Sequence, residues 1–419
     1  MRDGGRIAAA IEVLADIETR HKPARLALKV WGDGARYAGA KDRAFVSGLV
    51  LDVLRHRRSL AAAMGEETDR ARVLAALRRL WDWPAARIAA AAEETHGPGA
   101  LSADEAARLE SPLVADDAAT AGDYPAWLEP QMVRAFGDAR AEEGRALAAR
   151  APVDLRVNTL KTDLGHVIKA LETFGPQTLD LAPNALRIPA PAASERAAPV
   201  EASPAFEKGW FEVQDLGSQI AATCAGEIKG KQVLDFCAGG GGKTLALAAA
   251  MANTGQLYAY DADARRLKET VARAQRAGVR NLQVRSPIEK DPLRGLEGKM
   301  DLVFVDSPCT GSGTWRRHPD AKWRLTPQQL ERRMAEQDAV LVAAAPFVKP
   351  GGRLIYVTCS VFVEENEDRV AAFLSHAEGI AVRPASGVAD EFLTPEGFLR
   401  LSPRTAGADG FFVAALERS

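Results

Sequence analysis

The sequence predicts an α/β protein whose carboxyl-terminal half forms a mostly parallel, doubly wound sheet. From Gly217 onwards, short apolar runs alternate with helical segments, which is the pattern of repeated strand–helix–strand units. Glycines stand between the first of these strands and its helix, and acidic residues or cysteines follow later strands. The residues before this half show helical periodicity and then a short mixed pattern, so we predict two further domains there.

The elements of the carboxyl-terminal half follow in regular order. The predicted strands cover residues 232–236, 256–260, 282–285, 301–305, 353–358 and 410–416. Predicted helices run from the glycine loop to residue 251, over 265–276, and onwards from Thr326. Thr326, Pro327 and Gln329 are typical of a helix start, because they supply a cap, a first-turn proline and a capping box.

Residues 1–120 are predicted to form a helical domain. Apolar residues recur at helical spacing around Ile7, Phe45 and Val73. Basic residues cluster near the ends of the second periodic segment, where they are either a solvated helix surface or an RNA-facing patch: Lys41, Arg43, Arg55, His56, Arg57 and Arg58. The periodicity fades around 97–99 and 116–123, which predicts a linker.

Residues 124–216 are predicted to form a small α+β module, and 217–419 the sheet domain. In the module we expect a helix over 125–136, a strand over 155–161, a helix over 164–174, and strands at 185–188 and 210–213. Residues 189–206 read as a loop. Arg156, Asn158 and Lys161 are candidates to contact a phosphate backbone, or else they form a wet sheet face.

Composition limits the class of protein. A net charge of −2 gives no global argument for nucleic acid, so only local basic patches could support that partner. No run of about twenty apolar residues is present, and we expect no transmembrane helix. Acidic residues within the first twenty argue against a signal peptide, and four cysteines in 419 residues suggest free thiols in a reducing cytoplasm.

The glycine loop, Cys237 to Thr244, suits a ligand bound between a strand and a helix. Glycines 239 to 242 allow close approach of a ligand, and the helix start favours negative charge. A phosphate-binding P-loop would need glycine at position 237, which is cysteine. A nucleoside cofactor would need an acid at the end of the next strand, where Asp261 stands. The pattern favours the nucleoside cofactor and leaves an NTPase as the alternative.

Two cysteines are predicted to share one edge of the sheet. Asp306 and Cys309 follow one strand, and Cys359 follows another. The carboxyl ends of parallel strands meet at one edge, where such sheets bind ligands. A basic stretch with interleaved tryptophans comes next, and it contains Arg316, Arg317 and His318 as candidates to bind RNA.

These motifs resemble the Nop/Sun family of RNA cytosine-5 methyltransferases, and within it the bacterial RsmB type. The residues that carry the resemblance are Cys237–Thr244, Asp306–Cys309, Trp315–Asp320, Thr358–Ser360, Glu365–Glu367 and Asp409–Phe412. Residues 156–161 and 213–215 resemble the family's small RNA-binding module. The helical start, with Lys41–Ala44 and Leu49–Arg55, is similar to a NusB-like domain. The resemblance implies a Rossmann-like methyltransferase domain after these two.

The resemblance also implies the site. It assigns the nucleophile to Cys359, a role in product release to Cys309, and contact with the cytosine to Asp306, while Lys243 contacts the cofactor or the base. S-adenosylmethionine is the implied cofactor. The residues implied to bind it are Cys237, Ala238, Gly239, Gly240, Gly241, Gly242, Lys243, Asp261 and Asp306. No metal is implied.

Departures from the family pattern leave points open. Gly239 and Gly240 stand where the family has alanine and proline, and Ser286 and Pro287 stand where it has an acid near the adenine. Glu289 is the substitute that the sequence offers. The expected substrate is ribosomal RNA at a single-stranded or loop cytosine, with transfer RNA as the alternative. The expected protein is a cytoplasmic monomer; a non-catalytic ribosome-assembly factor is the remaining alternative.

Overall fold

The structure is a computed structural model that describes residues 1–112, 115–195 and 197–419. The predicted helical domain and the predicted loop over 189–206 therefore each include residues outside the described part. The chain forms two compact units. We call Met1–Ala151, Ala190–Ala197 and Trp315–Leu325 the helical unit, and Pro152–Pro189, Ala198–Thr314 and Thr326–Ser419 the sheet unit. Trp315–Leu325 is called the inserted segment. Elements are numbered in chain order.

The helical unit is built from short and medium helices. Their bounds are α1 Asp3–Arg20, α2 Ala24–Gly34, α3 Ala40–Arg55, α4 Arg57–Met64, α5 Asp69–Arg79, α6 Ala85–Ala92, α7 Ala103–Glu110, α8 Ala118–Ala121, α9 Glu129–Phe136, α10 Arg140–Ala148 and, in the inserted segment, α16 Ala321–Arg324. Helices α1, α3 and α5 pack on one another. Their buried apolar faces include Ile7, Leu49 and Leu74, which are fully covered. The helices predicted from apolar periodicity are therefore present.

The inserted segment is fixed to the helical unit by buried hydrogen bonds. The Lys322 ammonium donates to the carbonyl oxygens of Arg55, at 2.7 Å, and of Asp123. The Trp323 indole N–H donates to the Leu54 carbonyl at 2.6 Å. Lys322 is only 1 % exposed. Its two bonds satisfy backbone groups that would otherwise be buried without a donor.

The basic cluster of the helical region is largely engaged within that unit. Arg55 pairs with Asp52 at 3.1 Å, and Arg57 pairs with Glu18 at 2.5 Å. Lys41 is exposed. The Arg57 pair joins α4 to α1, and the Arg55 pair lies within α3, which favours the structural interpretation of these two arginines.

The sheet unit contains a small antiparallel sheet. Its strands are β1 Val153–Val157, β2 Gln177–Leu179, β3 Ala185–Ile188 and β4 Phe211–Val213, in the order β2-β3-β1-β4. Two helices accompany it, α11 Leu164–Ala170 and α12 Pro204–Glu207. Leu155, Val157 and Phe211 lie in its buried apolar cluster.

The large sheet carries the predicted α/β pattern. Its strands are β5 Gln232–Asp235, β6 Gln256–Tyr260, β7 Leu282–Arg285, β8 Met300–Asp306, β9 Val348–Thr358, β10 Ile380–Arg383, β11 Leu399–Leu401 and β12 Phe411–Arg418. Its helices are α13 Leu216–Thr223, α14 Gly242–Ala250, α15 Ala264–Ala277, α17 Pro327–Ala344, α18 Glu367–Leu374 and α19 Pro403–Ala406. The order is β10-β12-β9-β8-β5-β6-β7, with β11 paired to β12.

Strand direction places the predicted site residues at one edge of this sheet. Strands β9, β8, β5, β6 and β7 run parallel, and β12 runs antiparallel between β9 and β10. The carboxyl ends of β5, β6, β8 and β9 therefore lie on the same side. Buried aliphatic residues of these strands form two apolar clusters that hold the sheet between its helices.

The structure corrects some predicted boundaries. The strand predicted over 155–161 ends at Val157, because the Asn158 side chain accepts the Leu160 N–H at 3.2 Å and starts a turn. Strand β9 starts at Val348, earlier than predicted, with a register irregularity near Gly351. The predicted linker contains α8 and the predicted loop contains α12. Strands β2, β10 and β11 were missed.

One predicted feature is reproduced in detail at α17. Thr326 accepts the Gln329 N–H at 3.3 Å, and the Gln329 side chain accepts the Thr326 N–H at 3.1 Å. Pro327 occupies the first turn. None of the helices in the described residues is long and apolar enough to cross a membrane.

Candidate active site

The two predicted cysteines lie together beyond β8 and β9. Their sulfur atoms are 3.4 Å apart, and both side chains are partly exposed. The Ser307 N–H donates to the Val357 carbonyl at 2.8 Å, and the Gly313 N–H donates to the Cys359 carbonyl at 2.9 Å. These bonds join the chain on either side of Cys309 to the strand that ends before Cys359, so both thiols face one another.

The environment distinguishes the two thiols. The pKa of Cys309 is raised well above its usual value by its hydrogen bond with Cys359 and then by burial. The raised pKa disfavours the Cys309 thiolate, while either sulfur can be the donor of the hydrogen bond between them. An S–H donor aimed at a second sulfur stabilises negative charge on that second sulfur. The arrangement suits Cys359 as the nucleophile of the pair.

Lys243 and Asp306 form the second predicted pair. The Lys243 ammonium donates to an Asp306 carboxylate oxygen at 2.9 Å, and it lies 5.0 Å from the centre of the Phe411 ring. The Lys243 side chain is almost fully buried, whereas Asp306 is 31 % exposed. The exposed carboxylate edge can accept hydrogen bonds from a ligand while the lysine fixes its orientation.

The glycine loop leaves room for a ligand. Gly239 and Gly241 have φ values of 53° and 88°, which side chains rarely adopt. A Cβ on Gly241 would approach Thr270 to 3.0 Å. An Asp261 carboxylate oxygen accepts the Gly239 N–H at 2.8 Å, and its other oxygen accepts the Asp263 N–H. Asp261 is thus fixed at the end of β6, where a nucleoside cofactor places its ribose.

The residues fit an adenosine-type cofactor with a charged tail. Three features are present. Glycines 239–242 offer bare backbone, Asp261 offers a carboxylate to ribose hydroxyl groups, and the start of α14 can bind the carboxylate of the cofactor's tail. Glu289, the substitute for the adenine position, is exposed after β7. The described residues contain no cluster of His, Cys, Asp or Glu that could hold a metal ion.

Asp235 is a buried acid behind the glycine loop that sequence reasoning did not select. One of its oxygens accepts the Thr244 hydroxyl at 2.6 Å, and the other has no hydrogen-bond partner among the described residues. Burial raises the pKa of Asp235 to about 7. The available signal was its place as the last residue of β5, two residues before the glycine loop begins. Cys237 follows it, and burial raises the pKa of that thiol too.

The residues predicted to bind RNA have different surroundings. In the sheet unit, Arg156 is buried and donates to Gln214 at 2.7 Å, and Asn158 is buried and donates to two backbone carbonyls. Lys161 is exposed. The side chains of Arg156 and Asn158 therefore form hydrogen bonds inside the fold. Lys161 is the accessible member of the three.

The other three candidates lie in the inserted segment of the helical unit. Arg316 is buried, Arg317 is half-buried and His318 is exposed. The Arg316 carbonyl accepts a hydrogen bond from Arg55 at 3.1 Å. The backbone at this point therefore belongs to the packing of the helical unit.

The fold and the site together define a class, the α/β enzymes that bind a nucleoside cofactor beside a reactive thiol. Comparisons with known proteins refine this. A family profile described as 16S rRNA methyltransferase RsmB/F matches residues 225–417, and one described as a RsmF/B-like ferredoxin-like domain matches 124–195. The probable ribosomal RNA small subunit methyltransferase B of Synechocystis is 32 % identical over 305 residues, which are 71 % of this chain and 67 % of that protein.

Solved structures share the fold. The crystal structure of PH0851 covers 100 % of this chain and 99 % of its own, with 26 % identity and a TM-score of 0.74. The crystal structure of NSun6 from Pyrococcus horikoshii with SFG covers 70 % and 98 %, with 22 % identity and a TM-score of 0.62.

The chain belongs to the RsmB/RsmF family of ribosomal RNA methyltransferases, which lies within the Nop/Sun group that the motifs indicate. S-adenosylmethionine is its cofactor. The nucleoside-cofactor interpretation of the glycine loop is thereby favoured over the NTPase interpretation.

Proposed function

We propose that this protein methylates carbon-5 of a cytosine in ribosomal RNA through a covalent intermediate on Cys359. The observation that carries the proposal is the 3.4 Å approach of the Cys309 and Cys359 sulfur atoms at the edge of the sheet that holds the glycine loop. Methyl transfer to an oxygen or an exocyclic nitrogen needs no thiol, whereas carbon-5 of cytosine needs a nucleophile to activate it. The paired cysteines therefore favour carbon-5.

The chemistry assigned to Cys359 begins with its thiolate. The sulfur adds to carbon-6, and the electron pair of the ring double bond makes carbon-5 nucleophilic. Bound S-adenosylmethionine supplies the electrophilic methyl group. Loss of the carbon-5 proton then re-forms the double bond and returns the electron pair of the carbon–sulfur bond to Cys359. We assign a role in this release to Cys309.

Asp306 and Lys243 are assigned to the cytosine. The exposed edge of the Asp306 carboxylate can accept from the polar edge of the base, and the ammonium 2.9 Å away holds it in place. Fixed charges of this kind stabilise a developing adduct without reorganisation during the reaction. The base must leave any helical stack to reach them, which favours a loop or single strand.

The two cysteines give the decisive test. Cys359→Ala is expected to abolish methyl transfer while S-adenosylmethionine affinity stays near that of the native protein. Cys309→Ala is expected to form the adduct and release it poorly, so a protein–RNA band should survive denaturing electrophoresis. Native turnover in Cys309→Ala without such a band would contradict the assignment. Cys224→Ala is the control, because that thiol is buried against the Ile220 carbonyl.

Ribosomal RNA is the proposed substrate because the relatives that match over about two thirds of their length are named small-subunit methyltransferases. Bisulfite sequencing of total RNA from a strain that lacks this protein should reveal one missing 5-methylcytosine in small-subunit RNA. A missing mark in transfer RNA would move the substrate there.

A further inference from the structure

Glu365 contacts both of the loops that carry the cysteines. We call residues 307–314 the Cys309 loop and residues 359–362 the Cys359 loop. Glu365 ends a helical turn, Val363–Glu365, that follows β9, and its side chain is fully buried. Four hydrogen bonds reach its carboxylate. They come from the Thr310 N–H at 2.8 Å, the Thr310 hydroxyl, the Gln337 amide at 3.0 Å and the Ser360 hydroxyl.

These donors flank both cysteines. Thr310 follows Cys309 and Ser360 follows Cys359. The Gln337 amide that contacts Glu365 also donates to the Pro308 carbonyl at 2.9 Å. The carboxylate thus contacts the residue after Cys309 and the residue after Cys359, and Gln337 links it to Pro308 on the other side of Cys309. Gln337 reaches this point from α17, so the capped helix also supports the Cys309 loop.

The two loops depend on Glu365 to different extents. The Cys359 loop has anchors that do not involve the Cys309 loop, since the Asn366 amide donates to the Ser360 carbonyl at 3.0 Å and the Ser360 N–H donates to the Thr358 hydroxyl at 3.2 Å. The Cys309 loop takes its contacts at Pro308 and Thr310 from Glu365 and Gln337. Loss of Glu365 should therefore displace Cys309 more than Cys359.

Glu365 acts on Cys309 through its charge as well as through its hydrogen bonds. Burial raises the pKa of Glu365, and the four donors oppose that effect. Its negative charge is also one of the causes that raise the pKa of Cys309, after the hydrogen bond with Cys359, burial and the charge interaction with Cys359. A higher pKa keeps Cys309 as a thiol, which can donate a hydrogen bond to the Cys359 sulfur.

We propose that Glu365 is a positioning residue that holds Cys309 against Cys359 for release of the methylated RNA. The proposal rests on the covalent function proposed above. In the release step, the carbon-5 proton is lost to water, its electron pair forms the carbon-5–carbon-6 double bond, and the carbon–sulfur pair returns to Cys359. The Cys309 thiol, 3.4 Å away, donates a hydrogen bond to the departing sulfur. Formation of the adduct uses Cys359, which keeps its other anchors.

The test compares three variants with the native full-length protein on in vitro transcribed small-subunit RNA. Glu365→Gln keeps the shape but removes the charge, and an amide on the Ser360 side can still pair with hydroxyls. Thr310→Val removes one donor and leaves Glu365 intact. Glu367→Gln is the control, because within the part of the chain that the structure describes this acid pairs with Arg400 at 3.5 Å and has no hydrogen bond to either cysteine loop.

Three quantities separate positioning from a general loss of structure. For Glu365→Gln we expect the S-adenosylmethionine affinity to stay within about 3-fold of native and the rate of the first turnover to stay within about 10-fold. Later turnovers should be slowed by about 100-fold, with an adduct that survives denaturant. Thr310→Val should change the same quantities in the same order by less. Equal losses in all three quantities, or native turnover without adduct, would overturn the proposal.

Cys309→Ala, measured in parallel, separates this proposal from the one it rests on. If Cys309→Ala forms an adduct and neither Glu365→Gln nor Thr310→Val does, only the proposed positioning role of Glu365 is refuted. If Cys309→Ala methylates RNA without any adduct, both the proposed covalent function and the proposed positioning role are refuted. If Glu365→Gln is recovered unfolded, Thr310→Val decides by the same three measurements.

Discussion

At the scale of single residues, the cysteine pair is asymmetric although its members have the same chemistry. The pKa of Cys309 is raised, first by the hydrogen bond with Cys359 and then by burial, and this disfavours its thiolate. Lys243 has a comparable role toward Asp306, since its buried ammonium fixes a carboxylate that is partly open to solvent. Each reactive group thus has a neighbour that sets its proton or its orientation.

Lys243→Gln tests this second pair. We expect the methylation rate of bound RNA to fall by about 100-fold, because Asp306 loses the positive charge that holds its carboxylate in the site. Single-turnover methylation with saturating S-adenosylmethionine measures the effect. Lys231→Gln is the control, since that lysine is half exposed and its ion pair with Asp301 is long, at 4.0 Å. A rate unchanged by Lys243→Gln would remove the lysine from the reaction.

At the scale of elements, the sequence predicts what local chemistry determines. The start of α17, the ends of β6 and β7, and the convergence of Cys309 and Cys359 follow from capping residues, apolar runs and the geometry of parallel strands. Strands β2, β10 and β11 are short and partly exposed, so their patterns were weak.

Other features of the elements depend on contacts distant in sequence. The Asn158 turn that ends β1 is also held from a distance, because the Asn158 amide donates to the carbonyls of Gly209 and Ala277, the latter 119 residues away. The burial of Arg156 also depends on a partner in another element, Gln214. Glu365 was noted only as part of a motif, since its four donors come from three separate segments.

Gly241→Ala tests the element that is expected to hold the cofactor. The φ of 88° and the 3.0 Å approach to Thr270 mean that the loop must move to accept a methyl group. We expect S-adenosylmethionine affinity, measured by calorimetry, to fall at least about 10-fold. Gly230→Ala is the matched control, because Gly230 also has positive φ, at 71°, but has open space around it. Equal affinities in both variants would exclude close packing as the reason for this glycine.

At the scale of the whole molecule, the chain passes between the units more than once. The inserted segment begins six residues after Cys309 and belongs to the helical unit, while residues on either side of it belong to the sheet unit. Sequence reasoning treated residues 315–320 as a basic motif and assigned the segment to the sheet domain. Its anchors, Lys322 and Trp323, bond to carbonyls about 200 to 270 residues away, which no local pattern reveals.

Lys322 should make the stability of the helical unit depend on pH. Burial lowers the pKa of Lys322 from 10.5 to about 7. The unfolded chain therefore binds more protons between these two values, and the free energy of unfolding should rise with pH across that window, by about 2 kcal/mol between pH 7 and 9. The neutral amine still has hydrogens for the Arg55 and Asp123 carbonyls, so this rise does not cost those bonds.

Lys322→Met should remove both the pH dependence and the two hydrogen bonds. At pH 9 we expect the variant to be less stable than the native protein by about 2 kcal/mol, because two buried carbonyls lose their donor. Urea unfolding followed by tryptophan fluorescence reports on the helical unit, since Trp210 is the one tryptophan outside it. Lys22→Met, which removes a partly exposed partner of Asp16, is the control. A variant with the native rise between pH 7 and 9 would show that another group titrates, because the methionine side chain carries no proton in that range.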